Sequence, residues 1–276
     1  VHHYRAYFAP GRTDALPPHL WRYHAQRYTL FSRFDWGVRL HGDMWYSVTP
    51  EPIARAQAMH MARCWRHDKD HGDGRDGGAI LVDGFCGAGG NSIQLALHAS
   101  SARPCLVLGM DIVPSRLRAA RRHARMYDAA HRVEFVCADF RSAPRLLRPG
   151  AVAGVFLSPP WADEGKVSAD FSVRRLGAGL DGAAILRTAL ELGSHDIAFF
   201  LPRATGCRDV KALAALARSD VAVQEHVRTV GSRAARSATA MTCYFGAWAA
   251  APRFACKRAR EENEEDNATY RRVSKP

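Results

Sequence analysis

The chain has 276 residues, 47% of them hydrophobic, enough to bury the core of one sizeable domain with an appendage. No apolar run approaches the ~18 residues of a membrane-crossing helix, and the seven cysteines are scattered with no Cys-x-x-Cys pair, so a membrane span, a disulfide framework and a metal site are not expected. Lysine and arginine exceed aspartate and glutamate by twelve, 39 against 27, a balance that favours a polyanionic partner, nucleic acid first.

Residues 1–75 are aromatic and basic and read as a small α-helical extension. After Pro17-Pro18, apolar positions 20, 23, 27/28, 30/31 and 34 approximate one helical stripe. A second helix is expected with Thr49 as its N-cap and Pro50 at its first position, marked by Ile53, Gln57, Met61 and Trp65. Asp68 to Gly78 is a polar linker.

Residues 76–248 alternate strand and helix signals. Strands are expected at 79–83, 105–111, 132–137, 152–157, 196–201, 221–227 and 240–246. Helices are expected at 91–100, 115–127, 141–148, 182–192 and 207–218. Such alternation implies an α/β fold with a mostly parallel sheet covered on both faces. The last two strands are too close for a crossover helix and should form a hairpin with an antiparallel final strand. Residues 249–276 lose periodicity and read as a charged, disordered tail. Its tetrad Lys257-Arg258-Ala259-Arg260 reads as a solvated charge run before it reads as a nuclear signal.

The first strand ends at Asp83 and enters the turn Gly84-Phe85-Cys86-Gly87-Ala88-Gly89-Gly90. In open α/β sheets ligands bind beyond the carboxyl ends of the strands, where this turn lies. Glycines such as Gly87 let backbone approach a ligand. The spacing is neither G-x-G-x-x-G nor a P-loop, so a dinucleotide or nucleoside triphosphate is a poor match. Asp111 closes the second strand and can accept both ribose hydroxyls of a nucleoside. Asp139 closes the third and can accept from an adenine amino group, with Phe140 packing on the ring. Three carboxylates on successive strand ends suit the cationic sulfonium of S-adenosylmethionine.

The fourth strand ends in Ser158-Pro159-Pro160-Trp161. Two prolines fix φ and remove two backbone donors, so the corner presents acceptors in a rigid frame. The Ser158 side chain and the Pro159 carbonyl can take the two hydrogens of an exocyclic amine. Trp161 can stack on the base, most strongly on a cationic one. Arg203, after the fifth strand, can clamp a phosphate or simply cap a strand end. Arg116, Arg118, Arg121, Arg122 and Arg125 on one helix suit either an RNA track or a solvated face.

Together with Ala25-Gln26-Arg27-Tyr28, Leu30 to Asp35 and Trp45-Tyr46-Ser47-Val48-Thr49-Pro50-Glu51, these segments resemble the trimethylguanosine synthase family of RNA cap methyltransferases over roughly residues 20–246. The resemblance implies a Rossmann-like, seven-stranded S-adenosylmethionine-dependent methyltransferase sheet. The activity implied is transfer of two methyl groups to N2 of a 7-methylguanosine cap on small nuclear and nucleolar RNA, with ribonucleoprotein assembly proteins as further partners. The implied location is the nucleus, in the nucleolus or nuclear bodies, and the cytoplasm as well. It further implies that Trp161 stacks the methylated guanine while Ser158 and Pro159 hold its amino group. Arg203, Ser47 and Arg22 would meet the cap phosphates. Phe31 and Thr49 would close over the cofactor, making the amino-terminal extension part of the active site. The chain departs from the family after Trp161, where Ala162-Asp163-Glu164-Gly165-Lys166 replaces Gly-Gly-Pro and a tyrosine, at Val113, which replaces an acid after Asp111-Ile112, and at Arg122-His123, where an asparagine pair is common. The alternative is methylation of an amino group on an internal guanine or adenine of RNA or DNA.

Overall fold

The structure, a computed structural model, describes residues 16–67, 79–99, 105–148, 150–163, 167–230, 235–250 and 268–273. The linker 68–78, Lys166 and the basic tetrad 257–260 lie outside them. The strands are β1 (Ala79–Asp83), β2 (Cys105–Asp111), β3 (Val133–Cys137), β4 (Val152–Leu157), β5 (Ile197–Pro202), β6 (Val221–Val230), β7 (Ala235–Phe245) and β8 (Ala268–Val273). The helices are α1 (Trp21–His24), α2 (Arg27–Leu30), α3 (Met44–Ser47), α4 (Glu51–His67), α5 (Gly90–His98), α6 (Pro114–Met126), α7 (Ala143–Leu146), α8 (Gly182–Glu191) and α9 (Cys207–Ala217).

One sheet runs in the order β3-β2-β1-β4-β5-β7-β6-β8. The first five strands are parallel, and β7 then pairs antiparallel with both β5 and β6. The seven expected strands, the hairpin and the antiparallel final strand of the α/β methyltransferase sheet are therefore present. The hairpin strands run further into the gap than expected, to Val230 and from Ala235.

Successive residues of β1 show why both faces must be covered. Leu81 and Val82 are fully buried yet belong to different clusters, one on each face of the sheet. On the first face Leu30, Phe31, Met44, Trp45 and Trp65 of the amino-terminal segment join Leu81, Leu95 and Phe156 in one core. The extension thus packs as part of the methyltransferase body. Helix α4 buries Ala54, Ala58, Met61, Ala62 and Trp65 along one stripe, and Trp65 Nε1 donates to Asp196 Oδ2 at 3.1 Å. The second face is filled from α8 and α9 by Ile185, Leu186, Val210 and Leu213.

Three expectations need correction. The stripe at 20–34 is broken into α1, α2 and 3-10 turns at Pro18–Leu20 and Phe34–Trp36. Leu20, Leu30, Phe31 and Phe34 are all buried, and the chain must bend to bring each inward. At α4 the Pro50 carbonyl accepts from Ile53 and Ala54, both at 3.0 Å, so Pro50 occupies the cap position and Thr49 is left to pack inside. The tail assigned no structure at 249–276 contributes β8, which pairs antiparallel with β6 from Val221↔Val273 to His226↔Ala268. It covers an edge that would otherwise present unpaired backbone groups.

Candidate active site

Strand order reverses between β1 and β4, and the glycine turn opens on that crevice. Gly87 has φ +51° with open space where a Cβ would stand. Its amide donates to Asp111 Oδ2 at 3.1 Å. Gly84 is required for another reason: a Cβ there would meet the Phe140 ring at 2.7 Å. Asp83 is completely buried at the root of the turn. Its Oδ2 accepts the Ser92 hydroxyl at 2.6 Å, whereas Oδ1 is buried without a hydrogen bond. Burial pushes this carboxyl up to about pH 7, against the pull of Ser92 and the nearby Phe85 amide. The unsatisfied acceptor lies closed beneath the glycine backbone, where its negative charge can attract a cationic ligand through the turn.

Asp111, mostly buried, is held by the amides of Gly87 and Val113 and contacted by Arg116, which also pairs with Asp43. It thereby fixes the end of β2 against the turn. Asp139 is half-exposed and caps a 3-10 turn through the Arg141 amide. Its oxygens are also forked by the Arg141 guanidinium at 2.6–3.1 Å, and that partner lowers its pKa. Phe140 lies elsewhere than a ring-stacking role requires. It is 1% exposed and packs beneath the turn against Gly84 and Phe85, so it forms a floor. The apolar side chain exposed beside Asp111 is Ile112, at 64%. Sequence reading missed it, although an isoleucine directly after a strand-end acid was the available signal. These residues fit S-adenosylmethionine: Asp83 for its positive end, Asp111 for the ribose, Ile112 for a face of the adenine.

The amino-terminal segment walls the turn. A side chain at Gly90 would start 3.7 Å from the Phe31 ring and 3.8 Å from the Thr49 carbonyl, and both residues are buried. Among the bonds that tie the segment down, two sets lie beside the turn. Glu51 accepts from the Ser32 amide, the Ser32 hydroxyl and the Tyr127 hydroxyl at 2.6, 2.8 and 2.6 Å. His123 Nε2 accepts the Arg39 amide at 3.1 Å, which places its proton on Nδ1 and directs it to the Ala88 carbonyl at 2.9 Å. The residue that departs from the family is thus a link between the extension and the cofactor turn. Burial lowers its pKa to about 4, so it bridges as a neutral ring. Removing the Glu51 carboxylate (Glu51→Ala) strands three donors. It is expected to lower stability by about 2–4 kcal/mol, read as the urea midpoint at unchanged slope.

At the acceptor corner Trp161 Nε1 donates to the Phe200 carbonyl at 3.0 Å, and its ring packs at 4.9 Å on that of Phe200. Pro159 is buried, Ser158 half-buried, and among the described residues neither the Ser158 hydroxyl nor the Pro159 carbonyl takes an internal hydrogen bond. Trp161 lines an open cleft of about 400 Å³ with Val167, Pro202, Arg203 and Ala204. The structure therefore brings Trp161 and Arg203 together. Ser158, Pro159, Arg22 and Ser47 are not in the lining, the first two standing next to Trp161 along the chain. Arg22 and Ser47 sit on α1 and α3, which touch through Tyr23 and Tyr46 at 6.1 Å.

A buried polar chain connects the two halves. Asn91 Nδ2 donates to Gln57 Oε1 and Gln57 Nε2 to Thr242 Oγ1, each at 2.8 Å. Thr242 Oγ1 lies 2.8 Å from His226 Nε2, and the His226 ring meets Phe200 edge-on at 5.7 Å. From the helix after the glycine turn the chain reaches the phenylalanine that carries Trp161.

The family described as RNA cap guanine-N2 methyltransferase matches residues 78–248. The chain belongs to the RNA cap guanine-N2 methyltransferase family. The chain is 32% identical to a trimethylguanosine synthase of Schizosaccharomyces pombe over 72% of its own length and 76% of the relative's. It is 26% identical to that of Saccharomyces cerevisiae over 67% of its length and 55% of the relative's. A S-adenosylmethionine-dependent methyltransferase of Agrobacterium tumefaciens, 14% identical, superposes with a TM-score of 0.52 over 73% of this chain and 64% of that one. As a cap guanine-N2 methyltransferase the protein uses S-adenosylmethionine and acts on capped RNA. Among the described residues no helix is long and apolar enough to cross a membrane.

Proposed function

We propose that this enzyme transfers two methyl groups in succession to N2 of a 7-methylguanosine cap, yielding the 2,2,7-trimethyl form. The observation that carries the reading is Trp161: an indole held by its own N–H, lining a cleft beside Arg203 and following, in the chain, two acceptors without an internal bond among the described residues. Bound S-adenosylmethionine supplies an electrophilic methyl on a sulfonium. The protein's part is to bind and align. Trp161 stacks the cationic base, for which tryptophan is the best aromatic partner. Ser158 Oγ and the Pro159 carbonyl accept the N2 hydrogens and so turn the nitrogen lone pair toward the methyl. The sulfonium would supply the methyl and keep the bonding pair as a neutral thioether, and the surplus proton of N2 would leave to solvent. Asp83 and Asp111 belong to the cofactor side, so positioning carries most of the rate enhancement. Arg203 meets the phosphates, with Ser47 and Arg22 reaching from the extension, while Phe31 and Thr49 exclude water over the turn. Asp139 serves the adenine edge once Arg141 shares it.

The names of the relatives support the double transfer, and the excess of twelve positive charges supports an RNA substrate. Small nuclear and nucleolar RNAs are the proposed substrates, in the nucleolus or nuclear bodies and in the cytoplasm as well. Ribonucleoprotein assembly proteins are the proposed recruiting partners. Mass spectrometry of a 7-methylguanosine-capped RNA incubated with enzyme and cofactor is expected to show two added methyl groups on the cap guanine. A single addition, or methyl groups on internal bases, would overturn the reading.

A further inference from the structure

Two guanidinium–ring pairs of the amino-terminal segment stand apart from the site and form one patch. Arg27 lies over the Tyr28 ring at 4.3 Å and Arg33 over Trp36 at 4.6 Å. The Tyr28 hydroxyl donates to Asp35, the neighbour of Trp36, at 2.7 Å. Beneath them lies the carboxyl-terminal half of α6: Arg33 Nη1 donates to the Met126 carbonyl at 2.5 Å and Arg122 Nε to the Gly37 carbonyl at 3.0 Å. Arg125, on the same helix, is exposed. Trp36 is 66% exposed and Tyr28 46%, whereas Leu30, Phe31 and Phe34 between them are buried. The segment therefore had interior positions for aromatic residues and left these two rings outside.

We propose that this patch holds single-stranded RNA following the cap, with unpaired bases on Trp36 and Tyr28 and phosphates on Arg27, Arg122 and Arg125. The inference rests on the capped-RNA reading above. Every base offers a π-face to an aromatic ring, and an adjacent guanidinium adds attraction for both base and phosphate. A duplex hides its base faces and could use only the charges. Position supports the same occupant. Phe31, within this stretch of chain, abuts the cofactor turn at Gly90. In the sheet, β2, which feeds α6, lies two strands from β4. That is ~10 Å across the sheet at ~4.8 Å per strand, and the run of α6 to its carboxyl-terminal half adds roughly 10–18 Å more at ~1.5 Å per residue, a span that several nucleotides bridge.

Four of the five arginines of α6 divide accordingly. Arg116 and Arg121 are committed inward, to Asp111 and Asp43 and to the Phe135 carbonyl. Arg122 also fastens the extension, and exposed Arg125 stands one turn further along the same helix.

The test compares KM for 7-methyl-GpppG, for a capped single strand of about a dozen nucleotides, and for a capped hairpin paired from its first nucleotide. Trp36→Ala is expected to raise KM for the open strand about tenfold, the size of one lost base stack. KM for the dinucleotide should stay within twofold. Arg125→Gln is expected to reduce the slope of log KM for the strand against log salt by about 0.7. The proposal is overturned if Trp36→Ala leaves the ratio of strand to dinucleotide KM unchanged, whether both rise or neither moves. It is equally overturned if the hairpin is used as well as the open strand. Should wild-type enzyme fail on the dinucleotide, the cap reading falls by itself. Fluorescence anisotropy of an uncapped labelled strand on wild type and Trp36→Ala then still decides the patch.

Discussion

Trp161→Ala is expected to lower kcat/KM for a 7-methylguanosine cap by at least about 100-fold while S-adenosylmethionine binds within twofold of wild type. Stacking of one base contributes about 1–3 kcal/mol, and a desolvated cation over an indole about 2 or more. Together these exceed the 2.7 kcal/mol of a 100-fold change. The loss should fall on cap recognition because Trp161 stands on the β4 corner, whereas Asp83 and Asp111 end β1 and β2 and Gly87 lies in the turn after β1. Trp161→Phe separates two contributions. It keeps an aromatic face but loses the Nε1 hydrogen bond to the Phe200 carbonyl, so an intermediate loss of about tenfold is expected. Steady-state kinetics on 7-methyl-GpppG, with calorimetry for the cofactor, would check both. A Trp161→Ala enzyme that methylates the cap at the wild-type rate removes Trp161 from the site. Equal loss of cofactor affinity would make it a packing residue only.

Most of the sheet could be read from the sequence because its strands are buried on both faces. Runs such as Ala79–Asp83 and Ile197–Pro202 are continuous apolar stretches whose ends are marked by glycine, proline or aspartate. The residues at those ends fall where ligands of such folds bind, so Asp83, Asp111 and the Ser158–Trp161 corner could be placed without coordinates. What stayed hidden depends on partners distant in sequence. Phe140 follows a strand-end acid as expected, but Gly84 lacks a side chain and leaves a hollow that draws the ring inward. That leaves Ile112 as the exposed apolar neighbour of Asp111. The bond from Gln57 to Thr242 joins residues 185 positions apart, and no local pattern announces it. The extension was hardest to read because its path is set by buried anchors. Phe31, Phe34 and Trp45 pack together with His24 and His123, and short turns rather than one long helix satisfy them all. Charge runs mislead in the same way. Arg116 and Arg121 look solvated in a helical wheel, yet each bonds inward.

S-adenosylmethionine affinity is expected to fall by up to tenfold as pH drops from 7 to 6, and to continue falling toward pH 5. The cause is Asp83, whose carboxyl burial raises from 3.8 to about 7. A raised acid favours its neutral form in the folded protein, so its contribution to stability is present below the unfolded value of 3.8. That contribution is lost as pH rises through 7. The unliganded enzyme should therefore lose stability between pH 4 and 7 on this account. Above 7 Asp83 is a buried anion with Oδ1 unsatisfied. A cationic ligand attracted to that anion lowers its pKa and releases a proton on binding, and affinity then changes tenfold per pH unit below the free-state pKa. His123, also buried beside the turn, has a pKa near 4 and is silent in this window. Asp83→Asn should bind the cofactor weakly at pH 8 and show no pH dependence between 5.5 and 8. Titration calorimetry in two buffers of different ionisation enthalpy reads the proton directly. Wild-type affinity that is flat over that range, or an Asp83→Asn enzyme that keeps the wild-type profile, would show that Asp83 does not face the cofactor. The orphaned oxygen would then be a cost of folding with no return in binding.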